Sequence, residues 1–561
     1  MEIRENLETV EVLCNMWLND MKLNLLGPYI FAPEVHKERV EVYKYYNFYY
    51  GKSTAEDNNY LNEFNQGQSW SVSADLDFNP TQEIRNHTKR LIKRQARFMF
   101  GVSPTIMFKG YDKKDNEVAE RLRQFIDKNI FDKNEFWKDT FKAFLDCTIC
   151  KRVLLRVEAN PGEPITLHYH TMDEFTFEVD PKNYKRLMKV TIAYLSKDTD
   201  YKAHKEQVWH RWQYFMKEDG YCYLTSGVYD GYCNPIEEEE EHNTLLTEIP
   251  CRIIINDGLL GDLHGSSDIR DLIDMQTSYN KTNSDFRDAL KFKMFEQPVF
   301  IDATEDSTED IKIAPNAMIE LHSDHTLGEN SKADAKMLSS SFSFAGSAKQ
   351  FADDIKTDMY ELMDQPKPED LKALTSGKAL KFSFYDLMSR CDEKWIEWES
   401  AITWLVNFSI YVIKEFNLYP DQWEKEFNDI DFKIVITHNY PIPEDIKENK
   451  ELGLREVESN VRSVKSYIKE ISDEEDYETE YKTILQEKKD FNDITEDTME
   501  RSLKDERTNI MNNNSDDSSE DDDSDNDSDN DNDNEDDLNN DNDESKGDKN
   551  NKKSQSSKDD K

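Results

Sequence analysis

The chain has 561 residues, with 71 Lys and Arg against 117 Asp and Glu, and so carries a formal net charge of −46. A surface this acidic repels a phosphate backbone, which excludes tight binding that neutralises many phosphates over the whole molecule, though not a local basic patch. The length predicts several domains and a sizeable core. No apolar run reaches the roughly eighteen residues of a membrane span. The first residues, Met1-Glu2-Ile3-Arg4-Glu5-Asn6, lack the order of a secretory signal, and the seven scattered cysteines predict a reducing compartment rather than a disulfide framework.

Residues 1 to about 150 read as mostly helical with a few strands, and 61–78 as a polar loop. A basic amphipathic helix is predicted from Pro80 to near Gly101, with Arg85, Lys89, Arg90, Lys93, Arg94 and Arg97 around Ile84, Leu91, Ile92 and Phe98. That face reads either as a nucleic-acid contact or as a surface pairing with acidic neighbours, and in so acidic a chain the second reading weighs more. Pro104 to Phe108 predicts a strand, and 116–129 and 134–146 predict helices. Between Arg152 and Asn256 short alternating runs separated by Asn160-Pro161-Gly162 and Asp219-Gly220 predict an antiparallel β region. Within it the acidic run Glu237 to Glu241 reads as a solvated loop.

At 261–268 small polar residues cap a helix carrying Ile269, Leu272, Tyr279, Phe286 and Leu290. A compact insert follows from Val299 to Ser341, with apolar pieces at 299–301 and 317–321. The next helix places Phe344, Ala348, Phe351, Ile355, Met359 and Leu362 on one stripe. The break Asp364-Gln365-Pro366-Lys367-Pro368-Glu369-Asp370 holds two prolines that cannot continue a helix. After Thr375-Ser376-Gly377 a long helix is expected through Leu380, Phe384, Leu387, Cys391, Trp395, Trp398, Ile402 and Leu405, about forty residues and ~60 Å if continuous. Phe432 to Thr437 predicts a strand, and Glu444 to about Asn509 charged helix. From Asn512 onward the composition is that of a disordered acidic tail.

Few residues point to chemistry. Cys147-Thr148-Ile149-Cys150 has the spacing of half a zinc site, but Cys222 and Cys233 lie too far apart to complete one, so core cysteines at a helix end are favoured. His168 and His170 share a strand face without a third ligand. The aspartate run 521–537 lacks the glycine and terminal glutamate of an EF-hand. No phosphate-binding lysine loop, nucleophile elbow or HExxH occurs. Trp395, Trp398 and Trp404 read as core or subunit interface rather than a cofactor box. Neither enzyme, cofactor nor metal is expected.

In its order of elements the chain resembles the portal proteins of siphovirus-type bacteriophages. Four places carry the resemblance: Asn256 to Phe295 with Ser266-Ser267-Asp268, Leu272-Ile273-Asp274 and Ser284-Asp285-Phe286; the insert 299–341; Asp364 to Leu380 ending Ser376-Gly377-Lys378-Ala379-Leu380; and Ser463 to Glu487. The resemblance implies an α+β portal fold: an α/β wing with N-terminal helices and an antiparallel β region (1–262), a first stem helix (263–297), a small β-containing clip (298–341), a second stem helix (342–363), a tunnel loop (364–376), a long wing helix and strand (377–442), a helical crown (443–510) and the acidic tail (511–561). The 364–376 segment is richer in proline and poorer in glycine than the family pattern.

The resemblance further implies a homo-oligomeric ring, dodecameric in the family, at one capsid vertex of the virion, assembled in the host cytoplasm. Double-stranded DNA would pass through it during packaging and ejection. The large terminase subunit and a head–tail connector would dock on it, with major capsid and scaffolding proteins as neighbours and no membrane. It nominates Pro366, Lys367, Lys372, Thr375, Ser376 and Lys378 for the channel; Tyr279, Lys281, Phe286, Arg287, Phe344, Phe351 and Ile355 for the stem; and Phe384, Leu387, Trp395, Trp398 and Ile402 for packing of the long helix. The competing reading is an acidic scaffolding or adaptor protein of phage assembly with no DNA channel.

Overall fold

The computed structural model describes residues 25–26, 33–51, 66, 80–81, 83–199, 206–294, 297–301, 303–304, 321–323, 326, 332–338, 343–372, 377–442, 446–471, 477, 479–490 and 504. The acidic tail, nearly all of the polar stretch 61–78 and the apolar piece 317–320 lie outside them. Contacts within the chain divide it into two units, 1–449 and 450–561.

The first unit opens with α1 (Pro33–Tyr50), α2 (His87–Phe100), β1 (Thr105–Gly110), α3 (Lys113–Ile126) and α4 (Phe136–Cys150), with a π-helical turn at Asp127–Asp132. Glu135 and Lys151, both with positive φ, turn the chain into and out of α4. The predicted β region follows. β2 (Arg152–Glu158), β3 (Thr166–Thr171) and β9 (Cys251–Ile255) pair in the order β3-β2-β9, and β4 (Phe175–Asp180), β5 (Asn183–Leu195), β6 (Val208–Met216), β7 (Cys222–Asp230) and β8 (Pro235–Asn243) form a five-stranded meander. All these pairings are antiparallel. β8 contains the five glutamates expected in a loop. Its pairing with β7 and the ion pairs Arg211–Glu239 and Lys217–Glu241, both reaching from the β6 side, draw that run into the sheet.

The chain then forms α5 (Ile273–Met294), β10 (Gln297–Ile301), β11 (Asp334–Leu338), α6 (Ala345–Leu362), the single turn α7 (Pro368–Leu371), α8 (Gly377–Ser383), α9 (Tyr385–Phe416) and β12 (Phe432–Thr437). β12 returns to β1, with Phe108 opposite Ile434. The strand partner of 299–301 is Asp334–Leu338, a segment that local alternation did not single out.

α9 runs for 32 residues, about 48 Å, and ends at Asn417 in the left-handed conformation favoured after a helix. The continuous forty-residue rod is therefore corrected: the helix breaks at Phe384. There the amide N–H is shared between the Leu380 and Lys381 carbonyls at 3.2 Å each, and the ring stacks on Phe98 at 5.3 Å. Leu387, Cys391, Trp395, Trp398, Ile402 and Leu405 face inward, against a core that includes Leu91, Met99, Phe144 and Leu154.

α2 starts at His87 rather than Pro80, with the Asn86 side chain accepting from Lys89 N at 2.8 Å. The preceding residues form an extended strap along α5. Thr81 N donates to Asp288 at 2.7 Å, Glu83 N to Ser284 at 2.9 Å, Arg85 N to Asn280 at 3.0 Å, and His87 N to Gln276 at 2.8 Å. Gln276 returns a bond to Arg85 O at 2.9 Å. The match is geometric: four helical residues advance ~6 Å and two extended residues ~6.6 Å, so every second strap amide meets the next member of an i, i+4 polar column.

α5 and α6 share a small cluster of Tyr279, Ala352 and Ile355. The expected stripe on α6 is rotated. Phe344, Phe351 and Leu362 are exposed, and Ala352, Ile355, Met359 and Tyr360 carry the contact. A helix that must meet both α5 and the main body turns a broader face inward than one stripe.

In the second unit α11 (Val464–Ile471) follows α10 (Ile446–Glu458), which spans the division. The Tyr467 hydroxyl donates to Lys450 O at 3.1 Å, and its ring lies where a side chain at Gly453 would clash.

Candidate functional site

The segment 364–376 begins at a junction built from three parts of the chain. Asp268, just ahead of α5, is a buried carboxylate whose side chain is only 1% exposed. Lys394 of α9 lies 2.9 Å from one oxygen and Arg390 of α9 lies 3.5 Å from the other. Asn256 and Gln95 donate to the same carboxylate at 2.9 and 3.0 Å. Burial alone would raise the Asp268 pKa, but Lys394, Arg390 and Asn256 outweigh it and hold the group down at about 2. Gly265 makes the approach possible: its φ is +71°, and a Cβ there would stand 2.6 Å from Asn256 O.

Arg390 forks. It holds Asp268 on one side, and on the other it donates to Asp364 at 3.1 Å and to Leu362 O at 3.3 Å, the carboxyl end of α6. One cation of α9 thereby ties the approach to α5 to the exit of α6. Asp364 itself turns the chain with a φ of 53°. The next residues are fixed to α2: Gln365 Nε2 donates to Leu91 O at 2.8 Å, and Arg94 donates to Pro366 O at 2.8 Å. The Arg94 guanidinium also lies 5.4 Å from the Phe384 ring, so one side chain touches the chain where the segment leaves and where it rejoins the body.

Pro366 and Lys367 are half-buried at this base, and Lys372 is exposed at the end of α7. Lys367 lies 4.0 Å from Glu361, and Lys356 pairs with Glu369 at 3.1 Å. The break is not wholly irregular, because Pro368 sits at the first helical position with Glu369 and Asp370 after it, and so starts a turn. Thr375 and Ser376 lie outside the described residues, and Lys378 falls in α8.

Among the stem candidates, Tyr279 and Ile355 are buried against each other's helices. Phe286 is half-buried, Lys281 is exposed, and Arg287 pairs with Glu83 of the strap at 3.3 Å. Of the long-helix residues, Leu387, Trp398 and Ile402 are fully enclosed, and Trp395 stacks on His438 at 4.7 Å. Phe384 is the half-buried break.

The basic helix divides its cations. Arg85 pairs with Glu83 at 2.7 Å in the strap, Lys89 lies over Tyr49 and Tyr50, and Arg94 turns to the loop base. Arg90, Lys93 and Arg97 point outward.

Cys147 and Cys150 are buried at the end of α4, where burial pushes the Cys150 thiol up to about 12. His170 meets Glu174 at 3.1 Å and His168 meets Glu158 at 3.3 Å. Among the described residues no group of three or more His, Cys, Asp or Glu is placed to hold a metal ion, and no helix is long and apolar enough to cross a membrane.

Sequence reasoning missed the junction. Its only local signal is a pair of cations, Arg390 and Lys394, set four apart beside the apolar stripe of a helix. Their carboxylate is more than a hundred residues away.

These elements define an α+β protein in which two packed helices flank an insert whose strands β10 and β11 pair antiparallel, and the chain returns through an anchored loop into a long helix. The family model described as phage portal protein, SPP1 Gp6-like, matches residues 32–493, more than half of the chain, and the chain belongs to that family. It is a family of structural proteins of the phage capsid. No curated protein matches the chain.

Proposed function

We propose that copies of this chain close into a ring at one capsid vertex, through which double-stranded DNA is packaged and later ejected, and on which the large terminase subunit and the head–tail connector dock. The twelvefold number, the unique vertex and these partners are taken over from the family. In this reading 1–262 with 377–442 form the wing, α5 and α6 the stem, the insert with β10 and β11 the clip, 364–376 the tunnel loop and 443–510 the crown. A ring of identical subunits needs two different faces that meet at a rotation which closes. The chain guides DNA and does not hydrolyse nucleotide; force belongs to the motor.

The observation that carries this reading is the anchored base of 364–376. Asp364, Gln365 and Pro366 are fixed by Arg390, Leu91 and Arg94 while Lys372 remains exposed beyond them. A segment held at its base and exposed further out is suited to reach towards a duplex, and net negative charge elsewhere keeps the duplex from adhering. Negative-stain imaging of the purified full-length chain tests it. The expected result is closed rings with a central hole on the order of 30 Å, roomy for a duplex whose major groove alone is ~12 Å wide. Monomers or filaments at every concentration would instead support the scaffolding or adaptor reading.

A further inference from the structure

We propose that the outward cationic face of α2, formed by Arg90, Lys93 and Arg97, seats the glutamate strand β8 of a second copy, and that this is one of the contacts closing the ring. The inference rests on the ring reading and adds to it a named pair of surfaces.

Arg90, Lys93 and Arg97 follow one another at steps of three and four, so they form one stripe about 10 Å long. All three are exposed, and among the described residues none has a carboxylate within ion-pair distance. Like charges at this spacing weaken an isolated helix. Lys89 and Arg94, their neighbours on the helix, have been turned aside to aromatic rings and a carbonyl. In a chain with 46 more acidic than basic groups, three adjacent cations left without acidic partners among the described residues form a face that lacks its complement there.

β8 supplies that complement. Every residue of Pro235–Asn243 is exposed, and among the described residues the strand lies at the edge of its sheet with only β7 beside it. Glu239 and Glu241 are taken by Arg211 and Lys217 of their own copy. Glu237 and Glu238 have no Lys or Arg partner among the described residues, and Glu240, 76% exposed, has only His242 at 3.8 Å. Glu237 to Glu241 spans about 13 Å of extended strand, commensurate with the cationic stripe. A charged edge also discourages strand-to-strand aggregation. That role is served equally by lysines, so reversing the sign of β8 separates the two.

The test uses the full-length chain, with assembly followed by mass photometry against protein and salt concentration. Arg90→Glu/Lys93→Glu/Arg97→Glu and Glu237→Lys/Glu238→Lys/Glu240→Lys should each raise the concentration needed for ring formation by at least about tenfold, as expected for three exposed ion pairs of ordinary strength. The six substitutions combined should restore assembly. The neutral variant Arg90→Gln/Lys93→Gln/Arg97→Gln should fall between, and all should melt with the parent chain because the replaced side chains are exposed. If the parent forms rings and either reversed variant assembles as it does, or the combined variant is not rescued, the contact is wrong. If the parent forms no rings, the ring reading itself falls. Unchanged assembly with lost binding of a fluorescent duplex would assign the α2 face to nucleic acid and overturn the proposal.

Discussion

Asp268 holds two cations of α9 in place, and its carboxylate is almost wholly removed from water. Exchanging it for Asn keeps the shape but leaves Lys394 without its counter-charge and Arg390 with Asp364 alone. Breaking one side of a buried ion pair costs about 3–5 kcal/mol, far more than an exposed pair contributes. Asp268→Asn is therefore expected to lower Tm by about 5 °C or more. The group also sets an acid limit. Its folded pKa, about 2, lies below the ordinary aspartate value of 3.8, so its contribution is complete above pH ~4 and is lost as pH falls towards 2. Melting curves for parent and variant should thus differ most above pH 4 and converge below it; a constant offset down to pH 2 would show that the carboxylate's charge is not what holds the junction.

The strap and α5 show the same dependence on distant partners at the level of whole elements. Asn280→Leu removes the acceptor for Arg85 N and the partner of Gln276, both in a buried column, at a cost of about 1–3 kcal/mol for each group left unpaired. Trypsin cleavage after Arg85 should then become faster by roughly tenfold or more while the rest of the unit keeps its resistance; unchanged cleavage would mean that the strap is held by something other than the column. This pairing also explains what local reading reached and what it did not. The end of α2 at Gly101, β1, the antiparallel region and the α9 stripe were legible because Gly, turn residues and apolar spacing act within a few positions. The start of α2 was not: residues 80–86 suit a helix until their amides are taken by side chains two hundred positions away. The segment 334–338 became the mate of β10 through a partner more than thirty positions away, whereas the glutamate run became a strand by folding back on the neighbouring β7, where Arg211 and Lys217 offset its charge. The loop's position after α6 was visible in its prolines, whereas its anchors Arg94, Gln365 and Arg390 became evident only once α2 and α9 lay on either side of it.

For the whole molecule the decisive feature is where the 364–376 segment is tied to the body: the anchors are at its base, Asp364 to Pro366. Arg94 touches both Pro366 and Phe384, so the chain's departure and return lie close together, and among the described residues 367–372 the ion pairs formed are Lys356–Glu369 and the 4.0 Å approach of Lys367 to Glu361. Exposed pairs are worth at most about 1 kcal/mol. Replacing residues 367–376 by two glycines, with Asp364, Gln365 and Pro366 retained, should therefore leave ring formation intact and change Tm by no more than about 2 °C. If that segment lines the passage, the same variant should lose most of its DNA packaging when driven by its cognate terminase. Arg94→Ala separates length from anchoring: the loop remains, its base loosens, and packaging should fall without being abolished. Full packaging by the shortened ring would remove 367–376 from the mechanism and leave the anchored base as a purely structural joint between α6 and α9.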